Sequence, residues 1–305
     1  MKLKKQFIFI PTVLILLIGL FSYPHETSKN TNTDSPQTNI PSEKPTEIFK
    51  QMKVHYIDVG KADSIFIELP NDETMLIDAG ESYNGPTIEE YIKNLGYSTI
   101  DYLIATHPDS DHIGGMPHII NNFEIKSIYM PKVVHTTKTY ENLLNTIKDN
   151  ELTVKTARTG VEILNEDNLK INMIAPNSET YKNTNDYSAV IMITYGVKKF
   201  LFMGDAQILS EKEILASGVD VKADVLKVGH HGSETSSHQA FLDAVEAEYA
   251  VITVGYRKNY NLPSEKIVER LKDSGMTVFR TDLNGTIVIT TNGIHLSIET
   301  EDKVE

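Results

Sequence analysis

Cysteine is absent from the 305 residues. That single absence excludes disulfides, thiolate zinc sites, a cysteine nucleophile and a lipid-modified cysteine anchor. Basic charge is also scarce, with 29 Lys and Arg against 42 Asp and Glu and a formal net charge of -13. This argues against a protein that grips nucleic acid through a broad basic surface, because phosphate binding is mostly electrostatic. It leaves room for a nuclease whose metal ions supply positive charge locally. The N-terminus also has little apolar length for a comfortable membrane span. The apolar stretch Phe7 to Phe21 follows a basic start of Lys2, Lys4 and Lys5, and it falls short of the roughly 20 residues a span requires. No small-x-small cleavage site stands out among Leu20, Phe21, Ser22 and Tyr23. Residues 1–23 therefore have two open readings, a cleaved secretory signal or an uncleaved N-terminal membrane anchor. Both place the rest of the chain outside the cytoplasm, secreted or tethered to the outer face of the cytoplasmic membrane. The membrane is expected to be engaged through this segment only, and no protein partner is implied.

Residues 24–48 form a second compositional zone, rich in Ser, Thr, Asn and Pro and almost without apolar side chains. Such a stretch cannot bury enough surface to offset its ordering entropy, which predicts a disordered polar tether. The folded domain is expected over 49–305, within the size range of one α/β unit. Short β-branched runs at 54–59, 64–69 and 74–78 predict strands. Helical spacing over 87–95 ends at Gly96, a C-terminal stop. A strand at 102–105, helices at 115–121 and 140–150, and a strand at 127–130 follow. Further strands and hairpins are expected over 161–175 and 187–203. The second half repeats this mixture, with helices at 209–216, 238–246 and 264–274. Its strands are expected at 224–228, 249–254, 277–280, 286–290 and 294–298. Two successive mixed halves predict an α/β fold of two packed sheets with helices outside.

Chemistry concentrates at the ends of predicted strands. His107-Pro-Asp109-Ser-Asp111-His112 sets four metal-competent side chains within six residues. Its oxygen and imidazole donors suit divalent cations, and no sulfur competes. A merely solvated turn has no need of two histidines. Phe200-Leu-Phe-Met-Gly-Asp205 ends another strand on a carboxylate, and Val225-Leu-Lys-Val-Gly-His230-His231-Gly-Ser233 ends one on paired histidines. Either alone would be weak, since Gly-Asp is a common turn and lone histidines are usually structural; together with the first motif they point to ligation. Asp78, in Leu76-Ile-Asp78-Ala-Gly80, is read as a carboxylate that orients a ligand histidine. His25, His55, His118, His135 and His295 have no ligand-like neighbours and are read as structural or surface residues.

The ordered set LIDAG, HPDSDHIGG, FMGDA and VGHHGS resembles the metallo-β-lactamase superfamily, and within it the soluble domain of ComEC-like competence proteins. Asp58-Val-Gly60 with Asp63-Ser64, Asn185-Asp-Tyr-Ser188, and Arg280-Thr-Asp282 with Gly285-Thr286 support the likeness over about residues 53–299. The resemblance implies an αββα sandwich with two divalent metal ions, zinc or manganese, in a cleft at one edge of the sheets. It implies that His107 and Asp109 hold the first metal and that Asp111, His112 and His230 hold the second. Asp205 would bridge them. The extra oxygen ligand at position 109 leans towards manganese as the alternative to zinc. Asn185 and Ser188 stand nearest to where the superfamily usually has a further first-metal histidine. Two departures are visible. Lys61-Ala62 replaces a usual Gln-Gly pair, and Leu262 replaces a histidine before Pro263-Ser264. His231 and His238 are the candidates to take over that histidine's part.

Metal-assisted hydrolysis follows, with Asp111 as a candidate general base and His231 as a catalytic candidate. The expected substrate is a phosphodiester, with DNA the leading example. Ser233, Ser236 and Ser237 are candidate phosphate contacts, and Lys227, Arg257 and Lys258 are candidates for a basic rim. A lactone, a β-lactam or an envelope phosphodiester stays open as the substrate, because fold does not fix it. So does a non-catalytic binding module.

Overall fold

The computed structural model describes residues 50–255 and 261–301. The expected leader (1–23), the whole of the expected tether (24–48), and Arg257 and Lys258 lie outside the described residues.

Among the described residues, fifteen strands form two sheets. The first half supplies β1 (Met52–Tyr56), β2 (Ile65–Glu68), β3 (Thr74–Ile77), β4 (Thr99–Ile104), β5 (Glu124–Met130) and β6 (Val154–Thr156). The second supplies β7 (Glu162–Asn165), β8 (Leu169–Ala175), β9 (Val190–Tyr195), β10 (Lys198–Phe202), β11 (Val225–Lys227), β12 (Tyr249–Ile252) and β13 (Thr277–Arg280). The chain ends in β14 (Ile287–Thr291) and β15 (Leu296–Thr300). One sheet has eight strands in the order β15-β14-β1-β2-β3-β4-β5-β6; the other has seven, in the order β13-β12-β11-β10-β9-β8-β7. The last two strands thus cross back to the first sheet, a step that two sequential halves did not anticipate. Their reason is visible in β14, where Ile287, Ile289 and Thr291 alternate as buried residues and β1 offers an edge for antiparallel pairing.

The central layer is apolar on both inner faces. Val54, Tyr56, Ile65, Ile67, Ile191, Phe200 and Phe202 belong to one buried cluster between the sheets. Tyr56 stacks on Phe202 with ring centroids 6.2 Å apart. Outside the first sheet, α1 (Gly85–Asn94), α3 (Met116–Asn122) and α4 (Lys138–Asp149) close a second cluster through Ile88, Ile92, Ile119 and Ile147. Outside the other, α5 (Ile208–Ala216), α6 (Gln239–Val245) and α7 (Glu265–Asp273) close a third through Ile214, Phe241, Ile267 and Leu271. The architecture is an αββα sandwich. Two short helices, α2 (Ser110–Ile113) and α8 (Thr281–Asn284), complete it, and α2 lies inside the first motif. Gly96 follows α1 at φ 96°, the left-handed stop that its position implied.

The parallel strands position the chemistry. β3 and β4 pair in parallel, as do β10, β11 and β12. Their carboxyl ends open into the segments that carry Asp78, His107, Asp205, His231 and Thr253, the edge at which α/β sheets commonly place ligand sites.

Candidate metal centre

Each histidine of the cluster is anchored through Nδ1 and turns Nε2 towards Asp205. His112 Nδ1 donates to Asp78 Oδ2 at 2.7 Å, and its Nε2 lies 3.3 Å from Asp205 Oδ2. His231 Nδ1 donates to the Thr253 carbonyl at 2.9 Å, and its Nε2 lies 3.6 Å from Asp205 Oδ2 and 3.5 Å from Asp111 Oδ2. The Thr106 hydroxyl gives its proton to Asp78 Oδ2 and is left as an acceptor 3.1 Å from His107 Nδ1. His107 Nε2 then lies 3.9 Å from Asp205 Oδ2 and 3.7 Å from Asp109 Oδ2. His230 Nδ1 meets the Thr235 hydroxyl at 2.8 Å, while its Nε2 is 3.8 Å from Asp205 Oδ2. Anchoring one ring nitrogen to fix the aim of the other is how ligand imidazoles are oriented.

The backbone accepts strain to do this. His230 and His231 both have left-handed φ, at 48° and 51°, which is uncommon for a residue with a Cβ and suggestive at a functional site. Gly115 is needed for close approach: a Cβ there would sit 2.1 Å from the Ala79 carbonyl oxygen.

Atoms that buried polar groups normally satisfy are left open. His107 Nε2, His112 Nε2, His231 Nε2 and Asp205 Oδ1 are all buried without an aligned hydrogen bond. Such orphans are rare unless a site or a bound ion explains them. Among the described residues, three overlapping sets have ligand atoms close enough to share an ion: His107-His112-Asp205, Asp111-His112-His231 and Asp63-Asp78-His112; in the third, the Nδ1 atom of His112 is already bonded to Asp78. The residues present therefore fit divalent metal. Electrostatics agree. Burial lowers His107 to about 4, helped by neighbouring His112, so it stays neutral and able to coordinate. Burial opposes the charge of His112, yet Asp205 and Asp78 hold it protonated well above the usual imidazole range. Burial likewise opposes ionisation of Asp205, but His231, His112 and His107 keep its carboxyl well below the usual range. Ligation would replace the proton on His112 by a cation.

Several sequence expectations fall differently. The paired histidines divide around Asp205. His231, fully buried, joins Asp111 and His112, the place expected for His230. His230 is 23% exposed and faces Asn185, whose Nδ2 is 3.3 Å from its Nε2. The cause is the left-handed pair, which splays the rings to 6.2 Å between centroids, together with the Thr253 carbonyl that claims His231. Asp78 lies behind His112 as expected. Ser188 Oγ accepts from Asp205 N at 3.1 Å and is 3.5 Å from His107 Nδ1, so it braces both. Lys227 is not a rim residue: it is fully buried and paired with Asp63 at 2.7 Å. The Ser236 hydroxyl is spent on the Gly229 and Ser233 carbonyls, and Ser233 Oγ pairs with Thr235 Oγ1. His238 caps α6 by accepting from Ala240 N. Leu262 packs its side chain against the apolar cluster under α6 and α7. A cavity of about 680 Å³ lined by residues of β8 and β9 shares none of these residues.

Sequence reasoning passed over Asp63, Thr106 and Thr253. Each acts through a neighbour and carries no motif; Asp63 was legible only as part of the family likeness.

Glu211, 1% exposed, holds the end of the histidine loop by accepting from Ser237 N and from His238 N at 2.8 Å. Burial pushes its carboxyl up to about 7, against these hydrogen bonds and Arg270. Its folded pKa lies above the unfolded value near 4.3. The stability it lends is therefore present in full below about pH 4 and lost as pH rises through about 7, a swing on the order of 3 kcal/mol. Melting in EDTA between pH 5 and 8 should show a shallower decline in Glu211→Gln than in the parent chain. Parallel slopes would mean that Glu211 is ionised throughout.

Residues 57–255 match the model of the metallo-beta-lactamase superfamily, and with the sandwich and the His/Asp cluster in place the chain belongs to that superfamily. Among curated proteins it is similar to the competence-related ComE operon protein 3 of Bacillus subtilis, 29% identical over 252 residues. That match covers 77% of this chain and 32% of the relative, so the chain spans about a third of the relative's length. It is also similar over 100 residues to Ribonuclease J of Mycoplasma genitalium, at 34% identity, covering 30% of this chain and 16% of that protein. Among solved structures, the metallo-beta-lactamase fold protein YhfI from Bacillus subtilis superposes with a TM-score of 0.53 at 13% identity. That match covers 79% of this chain and all of YhfI, and it shows the shared fold.

Proposed function

We propose that the chain is an exported, metal-dependent phosphodiesterase that acts on nucleic acid or a related phosphodiester. The observation that carries the hydrolase reading is the convergence of buried, unpartnered imidazole Nε2 atoms on the Asp205 carboxylate. Asp111, His112 and His231 would hold one divalent cation, and His107 with Asp109 would hold a second, with Asp205 facing both. His230, beside Asn185 and 3.8 Å from Asp205, is the remaining imidazole of the cluster and would complete that second set. Such cations supply Lewis acidity for a phosphoryl oxygen and for water. Manganese suits the carboxylate-rich set and zinc the imidazole-rich one. Asp111, 16% exposed at the mouth, would be the candidate to take a proton from water. The phosphodiester reading draws on the competence-related and ribonuclease relatives, the export reading on the N-terminal composition.

The test is turnover of bis(p-nitrophenyl) phosphate and of labelled single-stranded DNA by the full chain, stripped with chelator and reloaded with manganese or zinc. Metal-dependent cleavage supports the proposal. Two metals per chain with neither substrate cleaved would remove it and favour lactones or β-lactams. The ligand assignment has its own check by metal analysis. His231→Ala should lower affinity for one metal by at least about 100-fold, the upper range for groups that only orient ligands. His230→Ala should weaken the other metal by less, because that imidazole is partly exposed.

A further inference from the structure

We propose that Lys61 binds the anionic oxygen of the substrate, and so selects a phosphodiester over a neutral ester or lactone. This rests on the hydrolase reading of the same site. Lys61 Nζ donates to Asp111 Oδ2 at 2.9 Å, with its side chain 20% exposed at the mouth of the cluster. Of the two lysines paired with the cluster's carboxylates, Lys227 is sealed beneath it, and Lys61 is the one on the open side.

The backbone delivers Lys61 firmly. Its turn between β1 and β2 is closed by Ile57 N to Ser64 O at 3.0 Å and Ala62 N to Gly60 O at 2.9 Å. It is tied to the metal motif by Asp63 N to Asp111 O at 3.1 Å and to the following loop by Gly80 N to Asp63 O at 2.8 Å. Asn84 Nδ2 adds a bond to Val59 O. Gly255 presses so near that a Cβ on it would lie 2.4 Å from Lys61 N.

The charge argument follows from this placement. An ammonium on Asp111 competes with a metal ion for the same carboxylate, so by itself it lowers metal affinity. Were Asp111 engaged by a divalent cation, the Lys61 ammonium would be repelled by the like charge, and its flexible four-carbon stem would let it turn outward. There it would be a strong donor at the mouth of the cluster, suited to a non-bridging phosphate oxygen. A neutral ester offers it no counter-charge. Lysine at this position thus favours an anionic substrate.

The experiment uses the full chain loaded with metal and titrates inorganic phosphate by calorimetry, with metal content measured in parallel. Lys61→Met and Lys61→Gln should each weaken phosphate binding by roughly ten- to a hundredfold, the range of one hydrogen bond to a charged group. Metal content should not fall, and Lys61→Arg should keep phosphate affinity within a few-fold of the parent. Unaltered phosphate affinity in both neutral variants overturns the proposal, as does a parent chain that binds no phosphate. Loss of metal together with phosphate also overturns it, since Lys61 would then be holding Asp111 in place. Bis(p-nitrophenyl) phosphate separates the two readings. Lysine-dependent phosphate binding without turnover defeats the phosphodiesterase but leaves Lys61 standing. Turnover with KM and phosphate affinity indifferent to Lys61 does the reverse.

Discussion

Asp205→Ala should abolish metal-dependent hydrolysis, with turnover reduced by more than about 10³-fold, beyond the 10²–10³ typical of removing one transition-state contact. The size of the effect follows from sharing. Asp205 Oδ2 lies 3.3 to 3.9 Å from Nε2 of His107, His112, His230 and His231, so one carboxylate faces imidazoles of both proposed sets. In the proposed assignment Asp205 is the ligand that faces both cations. Metal bound after dialysis should fall from near two per chain towards none. The fold itself should persist, because β10 and β11 pair through their backbones and the cores contain no part of this side chain. Asp205→Asn sharpens the comparison, since it keeps the volume and removes the charge. Both variants should retain the parent circular dichroism. Metal-dependent turnover within tenfold of the parent in Asp205→Ala would mean that the cluster is not the reactive centre.

Much of this centre was legible in the sequence because ligands had to sit at strand ends, where alternation of apolar residues stops and a polar pair begins. His107, Asp109, Asp111 and His112 announced themselves as a dense run, and the strands feeding them were readable from their β-branched composition. Which of two adjacent histidines faces the metals was not legible. The choice depends on φ 48° and 51° at His230 and His231, and on a carbonyl supplied by Thr253, more than twenty residues away. The same limit applied to Lys227. A lysine at a strand end reads as a surface residue on base rates, and only the tertiary partner Asp63 makes burial affordable. Return of β14 and β15 to the first sheet was hidden for a related reason: strand patterns show what a segment buries and leave open which edge it joins.

Lys227→Met should destabilise the metal-free chain by about 3–5 kcal/mol, the usual cost of stranding one member of a buried ion pair. Methionine keeps most of the stem's volume, so lost packing is a small part of that figure. The ammonium donates to Asp63 Oδ2 at 2.7 Å and to Val228 O at 3.0 Å, and both lysine and aspartate are essentially fully buried. Burial opposes ionisation of Asp63, and Lys227, then His231 and His112, hold it below the ordinary carboxylate range. Without the lysine, the carboxylate either stays charged at high cost or takes up a proton. Protonation would change what His231 meets, since Asp63 Oδ1 lies 3.5 Å from its Nδ1 and accepts from the Thr253 hydroxyl. Thr253 is also the residue whose carbonyl aims His231. Metal affinity should therefore fall with stability, although Lys227 touches no ligand atom. Replacing both partners, Lys227→Met with Asp63→Asn, should recover most of the stability, because an uncharged buried pair leaves no stranded charge. Urea unfolding of the four forms in EDTA closes the cycle, and a coupling well above 1 kcal/mol is expected. Additive single effects would mean that Asp63 is already neutral in the parent. Recovered stability without recovered metal affinity would assign the ionised carboxylate, more than the lysine, to the task of holding His231.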